Sequence, residues 1–325
     1  MDPKSMDWKG KNILLTGATG LLGSHVAQRL VQEGASVTAI IRDDIPMSYL
    51  YLQGTDRKIS AVRGKLEDYS LVERAMNEYE IEACLHLGAQ AIVGTANRSP
   101  LSTFEANIKG TWNVLEAARN SKLLKALVVA STDKAYGESN TLPYKEEDRL
   151  AASHPYDVSK ACADMLCSSY FHTYGLSVGV TRCGNIFGAG DLNYNRIIPG
   201  TIKSLLQKKQ PVIRSDGKMV RDYVYAEDIV DANLLLAGAL LLGKQKGEAF
   251  NFSYEQPQSV LEVVEKIKNA MGSTLSPLIL NEATNEIPRQ YLSSQKARKL
   301  LSWKPKYDFD SGMKKTIDWY KKFLA

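Results

Sequence analysis

Tyr156-Asp157-Val158-Ser159-Lys160 sets a phenol and an amine four residues apart, which on a helix puts them on one face and one turn apart. A cationic ammonium beside a phenol favours the phenolate, so such a pair can take a hydroxyl proton as hydride leaves for a nicotinamide. A second run, from Lys11 through Thr16-Gly17-Ala18-Thr19-Gly20-Leu21-Leu22-Gly23, spaces three glycines between an aliphatic stretch and a helical pattern. Glycines there let the backbone turn tightly and approach a pyrophosphate, whose charge would rest on free N–H groups at the helix's positive end. Gly17, Thr19, Gly20, Leu21, Leu22 and Gly23 are therefore the candidate cofactor loop. Further on, Ile41-Arg42-Asp43-Asp44 offers both an acid suited to a ribose diol and a base suited to a 2′-phosphate. Asp43 leans the reading to NAD, and Arg42 leaves NADP open.

Positioning these groups calls for alternating elements. Short aliphatic runs at 12–15, 36–41, 59–62, 83–87, 126–130 and 177–182 alternate with amphipathic stretches at 25–33, 70–78, 104–120 and 156–174. That alternation predicts βαβ units and a six-stranded, doubly wound parallel sheet, an α/β fold of Rossmann type. Ala130-Ser131-Thr132-Asp133-Lys134 closes the fifth predicted strand, which aims those polar groups at the same end of the sheet as the glycine loop. After Gly184 the regularity breaks into a Gly/Asn-rich run and two helical patterns at 198–208 and 228–242, expected to form a lid. Short helices are expected at 259–271, 294–301 and 312–323. The expected division is a dinucleotide-binding part at 7–184 and a smaller C-terminal α/β lobe at 185–325 that binds substrate, with interleaved segments.

The 325 residues are 44% hydrophobic and 24% charged, which excludes a disordered or collagen-like chain. The net charge of +5 is scattered along the chain, so nucleic acid is not an expected partner. Cys84, Cys162, Cys167 and Cys183 show no metal-ligand spacing and read as reduced thiols; no metal site is expected, and the expected compartment is the cytoplasm. No stretch reaches the roughly 18 apolar residues of a membrane span. Met1 to Met6 lack an apolar h-region, so no secretory signal is expected there. His86, between Leu85 and Leu87, reads as a satisfied core histidine.

Taken together these motifs resemble the extended short-chain dehydrogenase/reductases, in the branch of NAD-dependent nucleotide-sugar epimerases and dehydratases. Further matching pieces are His86-Leu87-Gly88-Ala89-Gln90, Asn107-Ile108-Lys109-Gly110-Thr111, Arg182-Cys183-Gly184-Asn185-Ile186-Phe187-Gly188 and Arg221-Asp222-Tyr223-Val224. The resemblance implies that Thr132 bonds the sugar 4-hydroxyl, that Tyr156 and Lys160 carry out the oxidation, and that Arg221 clamps the diphosphate. It adds Lys65, Leu66, Leu87, Gly88 and Ala89 to the cofactor set, and Gln90, Asn185, Arg196 and Arg289 to the substrate set. A nucleotide-diphospho-sugar substrate is implied, as is a homodimer through helices 104–120 and 156–174, whose exposed apolar positions would include Leu115, Cys162 and Met165.

Within that branch, epimerases resemble Ser-Ser-Ala after the fifth strand and 4,6-dehydratases carry Thr-Asp-Glu, an acid for the leaving 6-hydroxyl and a base for H5. Here the run is Thr132-Asp133-Lys134, which, with residues 191–199, is similar to CDP-glucose 4,6-dehydratases. A lysine base must shed its proton through desolvation or a positive neighbour such as Lys160. If Lys134 only orients Asp133, Tyr136 and Cys183 are the next candidates for the base. A UDP-sugar 4-epimerase, or a UDP-N-acetylglucosamine dehydratase that stops at a 5,6-ene, stays open. Gly64-Lys65-Leu66-Glu67-Asp68 departs from the family's Gly-Asp-x-Arg-Asp, whose first Asp lies near adenine, so adenine must be held in another way; separately, near the C-terminus, Ser293 stands where the family tends to have an Asp.

Overall fold

The computed structural model describes residues 6–282 and 287–325, so the N-terminal segment read above for a secretory signal lies, apart from Met6, outside the described residues. Six parallel strands run β1 (Asn12–Thr16), β2 (Ser36–Ile41), β3 (Ser60–Arg63), β4 (Ala83–His86), β5 (Ala126–Ala130) and β6 (Val178–Cys183). A seventh, Ala249–Phe252, joins β6, and the sheet order is Ala249–Phe252, β6, β5, β4, β1, β2, β3. The expected count of six is thus corrected to seven.

Successive strand residues point to opposite faces, and both faces are apolar, as a parallel sheet covered on two sides requires. Ile13, Leu15, Leu85 and Val128 pack into one core with Val26 and Leu30 of helix Leu21–Gln32 and with Ile229, Val230 and Leu236 of helix Ala226–Leu241. Leu14, Cys84, Leu127 and Val129 face the other way, against Val72, Val114, Leu115 and Cys167. The pattern at 228–242 is therefore a core helix under the sheet and not part of a lid. Leu115 is fully buried in that second core, which removes it from the expected exposed patch, whereas Met165 is 63% exposed.

The stretch 104–120 is not one regular α-helix. Pro100–Phe104 leads through a π-helical turn, Glu105–Lys109, into Gly110–Asn120. The wide turn aims the Asn107 side chain at the loop after β4, where Oδ1 accepts from Gln90 N at 2.7 Å and Nδ2 donates to Gln90 O at 3.1 Å. Among the described residues no helix is long and apolar enough to cross a membrane.

Candidate active site

The strand order reverses between β1 and β4, so the loops leaving these two strands part and open a crevice at their C-terminal ends. Gly17 turns the chain there with φ +76°, and a Cβ on it would lie 2.8 Å from the Gly88 backbone of the opposing loop. A Cβ on Gly23 would stand 2.0 Å from Gly17 O, so the helix can pack on the turn only without a side chain at that position. Ser24 Oγ braces the loop by donating toward Ala18 O at 2.9 Å and Gly20 O at 2.7 Å. Gly20 caps helix Leu21–Gln32 in extended conformation without a side-chain bond, leaving first-turn N–H groups directed at the crevice. This cradle fits a dinucleotide pyrophosphate.

The β1 and β4 ends are tied through one histidine. Thr16 Oγ1 accepts from Gly88 N at 2.8 Å and contacts His86 Nδ1 at 2.8 Å, while His86 Nε2 contacts Thr111 Oγ1 at 3.1 Å. Thr111 donates to Asn107 O at 2.6 Å, so the accounting puts the His86 proton on Nε2 and makes Nδ1 the acceptor from Thr16. Burial holds this ring neutral, with its pKa lowered to about 3. His86 is structural, as the sequence reading expected.

One cavity of about 1410 Å³ runs from the glycine loop to the C-terminal lobe. This exceeds the roughly 300–1,000 Å³ of a single drug-sized site and has room for a dinucleotide beside a second ligand. Its wall takes in Gly17, Thr19, Gly20, Leu21, Leu22, Gly23, Arg42, Asp43, Leu66, Leu87, Gly88, Ala89 and Gln90 on the cofactor side. Thr132, Lys134, Tyr156, Lys160, Asn185, Arg196 and Arg221 line the other part. At the end of β2, Arg42 Nε donates to Asp43 Oδ2 at 2.6 Å, so the base and the acid are paired with each other at the wall.

Three expected residues are not among those lining the cavity. Lys65 is absent from the wall, where Leu66 and Glu67 stand instead. Arg289 is exposed on strand Arg289–Gln290, with its guanidinium over the Tyr291 ring. Asp133 is 3% exposed and lies behind the wall, accepting from Thr132 Oγ1 at 3.0 Å. Burial raises its carboxyl pKa against the pull of Lys134 and Arg221.

Thr132 caps the short 3₁₀ turn Asp133–Tyr136 at the end of β5, while Tyr156 and Lys160 come from helix Pro155–Tyr174, which has Pro155 at its first position. Lys160 Nζ donates to Ala130 O at 2.7 Å, which anchors the amine to the tip of β5. Burial pulls the Lys160 ammonium down to about 8 and pushes the Tyr156 phenol up to about 12, with Arg196 rather than Lys160 the main charge opposing that rise. Burial thus works against the phenolate that the sequence reading expects, and Arg196, in the same cavity wall, is the cation that favours it.

Of the reserve candidates for a base, Tyr136 is occupied, since its OH donates to Asn251 Oδ1 at 2.8 Å and accepts from Arg182 Nη1 at 2.8 Å. Cys183 reaches the cavity, but burial pushes its thiol up to about 12. The sequence reading passed over Asn107, although it quoted the run that contains it, and Asp157, which lines the wall beside Tyr156.

A family model described as the NAD dependent epimerase/dehydratase family matches residues 13–252. The chain is 30% identical over 324 residues to a trifunctional UDP-glucose 4,6-dehydratase/UDP-4-keto-6-deoxy-D-glucose 3,5-epimerase/UDP-4-keto-L-rhamnose-reductase of Arabidopsis thaliana, covering 96% of this chain and 47% of that protein. It thus spans about half the length of that relative. It is 26% identical to a CDP-glucose 4,6-dehydratase of Salmonella typhimurium, with 98% of this chain and 92% of the relative covered. The crystal structure of a UDP-glucose 4-epimerase with UDP-glucose from Thermotoga maritima superposes with a TM-score of 0.88 at 27% identity, covering 97% of this chain and 100% of that one. The glycine cradle, the Tyr156/Lys160 pair and a family match over well over half of the sequence agree: the chain belongs to the NAD dependent epimerase/dehydratase family.

Proposed function

We propose that this protein is a nucleotide-diphospho-hexose 4,6-dehydratase of the CDP-glucose type, using NAD and yielding a 4-keto-6-deoxy sugar nucleotide. The observation that carries the proposal is the placing of Thr132 and Lys134 in one cavity wall with Tyr156 and Lys160, with a buried Asp133, its carboxyl pKa raised by that burial, directly behind Thr132. Residues 7–184, completed by strand Ala249–Phe252, hold the dinucleotide, and residues 185–325 supply most of the contacts to the nucleotide sugar, Arg221, Asn185 and Arg196 among them. Bound NAD supplies the hydride acceptor for C4 and later the hydride for C6.

Tyr156 takes the O4 proton, with Thr132 orienting the 4-hydroxyl and Lys160 fixing the local charge from below. The resulting 4-ketone acidifies H5, and Lys134 removes that proton. Asp133, whose carboxyl pKa burial raises above its ordinary range, is the acid: Thr132 turns its hydroxyl from Asp133 to the departing 6-hydroxyl, hands on that proton and takes one from Asp133, water is lost across C5 and C6, and Lys134 returns its proton to C5 as C6 is reduced. One observation favours a 4-epimerase as second reading: Asp133 does not itself reach the cavity wall. Incubation with CDP-, UDP-, GDP- and dTDP-hexoses, read by mass, tests the proposal. A dehydratase product is lighter by one water, whereas an epimerase leaves the mass unchanged and sinks the proposal.

A further inference from the structure

Strand order sets where the adenine of the dinucleotide lies. The pyrophosphate cradle follows β1, and the sheet continues outward through β2 to the edge strand β3. An adenosine leaving the cradle therefore crosses the end of β2, where Asp43 suits its ribose, and reaches the end of β3, two strand spacings or roughly 10 Å out. Ile41 pairs with Arg63, so the loops leaving β2 and β3 start side by side, and Ile40, Ile45, Leu66 and Glu67 of these ends stand in the cavity wall. Ile45 is 38% exposed, an apolar surface that a purine ring would cover, while Asn113 Nδ2 steadies the β3 loop by donating to Leu66 O at 2.9 Å. Lys65, at the position of the family's adenine-side acid, lies outside the wall. The neighbouring acids are engaged: Asp43 accepts from Arg42 Nε at 2.6 Å, Asp44 from Arg63 Nη1 at 2.5 Å, and Asp68 from Leu71 N at 3.2 Å as the cap of helix Tyr69–Glu78. Glu67 is half-buried in the wall and makes no hydrogen bond or ion pair among the described residues.

We infer that Glu67 accepts a hydrogen of the adenine 6-amino group, so that the site selects adenine dinucleotides over those carrying a 6-oxopurine. An ionised carboxylate can only accept, and the amino group brings the donor it lacks. Hypoxanthine puts a carbonyl oxygen at the same position, where two acceptors meet and neither is satisfied. The chain thus recovers, two residues along the same loop, an acid that Lys65 replaces. This selection concerns the cofactor alone and holds whichever nucleotide sugar is turned over.

The test titrates NAD and nicotinamide hypoxanthine dinucleotide separately into the protein by calorimetry. The two probes differ only along the C6 edge of the purine, so their affinity ratio reports that edge alone. Wild type should prefer NAD by about tenfold or more, the scale of a hydrogen bond to a charged acceptor. Glu67→Ala should lose NAD affinity and leave a preference of about threefold or less. Glu67→Gln, whose amide offers a carbonyl to the amino group and an N–H to the 6-oxo group, should narrow the ratio by tightening the hypoxanthine dinucleotide. Glu67 sits half-exposed on a loop, so both variants should melt as wild type does. A wild type that binds the two probes alike, or Glu67 variants of normal melting that keep the full preference for NAD, overturns the inference.

Discussion

Replacing Lys160 with methionine should stabilise the fold while ending turnover. Lys160 is 7% exposed, and burial draws its ammonium from 10.5 down to about 8. Because the folded pKa lies below the unfolded one, the unfolded chain binds the extra proton between pH 8 and 10.5, so stability rises with pH across that window. The cost of burying the charge is fully felt below pH 8: about 3 kcal/mol at pH 7, falling to about 1 kcal/mol at pH 10. Methionine has nearly the same length, carries no charge, and gives up the 2.7 Å bond to Ala130 O, a loss of about 1 kcal/mol. The variant should therefore exceed wild type by about 2 kcal/mol in urea unfolding at pH 7, and the gap should close near pH 10. Turnover should fall by about a hundredfold or more, since the amine that orients the Tyr156 proton transfer is gone. A variant no more stable than wild type at pH 7, or a gap equal at both pH values, would refute the assignment of a strained, desolvated lysine.

Tyr156→Phe should cut turnover by about a hundredfold to ten-thousandfold while nucleotide-sugar affinity measured by calorimetry stays near wild type; activity within a few-fold would remove Tyr156 from the chemistry. Gly23→Ala should weaken NAD binding by about tenfold or more, because its Cβ would stand 2.0 Å from Gly17 O, while Gly20→Ala, at 3.3 Å from the same atom, should bind NAD nearly as wild type. Equal NAD affinities in the two variants would mean that the turn does not hold the pyrophosphate. Under single turnover, Lys134→Ala should accumulate NADH absorbance without exchanging H5 in deuterated solvent, whereas Asp133→Asn should accumulate NADH and exchange H5. Alike behaviour of the pair would deny Lys134 the role of base. Sedimentation should show a dimer that Met165→Asp dissociates, since Met165 at 63% and Trp112 at 43% exposure leave an apolar surface on the helices expected to pair; a wild-type species of 36.0 kDa alone would count against it.

The parts of the site that were legible in the sequence are those fixed by local geometry. A glycine triplet between strand and helix, and a phenol and amine one helical turn apart, dictate their own arrangement, and both lie in the cavity wall. What tertiary packing decides was not legible. Residue types announced Asp133 as an acid, but the direction of its side chain depends on a 3₁₀ turn held by Thr132 and on Gln290, whose Nε2 approaches Asp133 O at 3.5 Å from a distant strand. Asn251 breaks the apolar run of Ala249–Phe252, so residue type does not announce a strand there; the free edge of β6 makes it one. The helix Ala226–Leu241 reads as part of a lid in the sequence because it follows the Gly/Asn-rich run that breaks the alternation after Gly184, yet its Asp228 and Asn233 are as buried as its apolar residues. Asp228 and Asn233 are buried in their own hydrogen bonds, with Asp228 Oδ1 accepting from Lys306 N at 2.6 Å and Asn233 Nδ2 donating to Ile229 O at 2.7 Å.

The strand Ala249–Phe252 also bears on how the chain is born. It pairs with Val180 to Cys183, made some seventy residues earlier in synthesis, and it brings Asn251, the acceptor for the Tyr136 hydroxyl that also meets Arg182. A nascent chain that has released β1 through β6 carries everything needed for the cofactor cradle, yet it exposes an unpaired sheet edge and a buried-type arginine with its partners incomplete. The chain must be made as far as Phe252 before the β6 edge can be covered, so the interval between these two strands leaves that edge open to wrong partners.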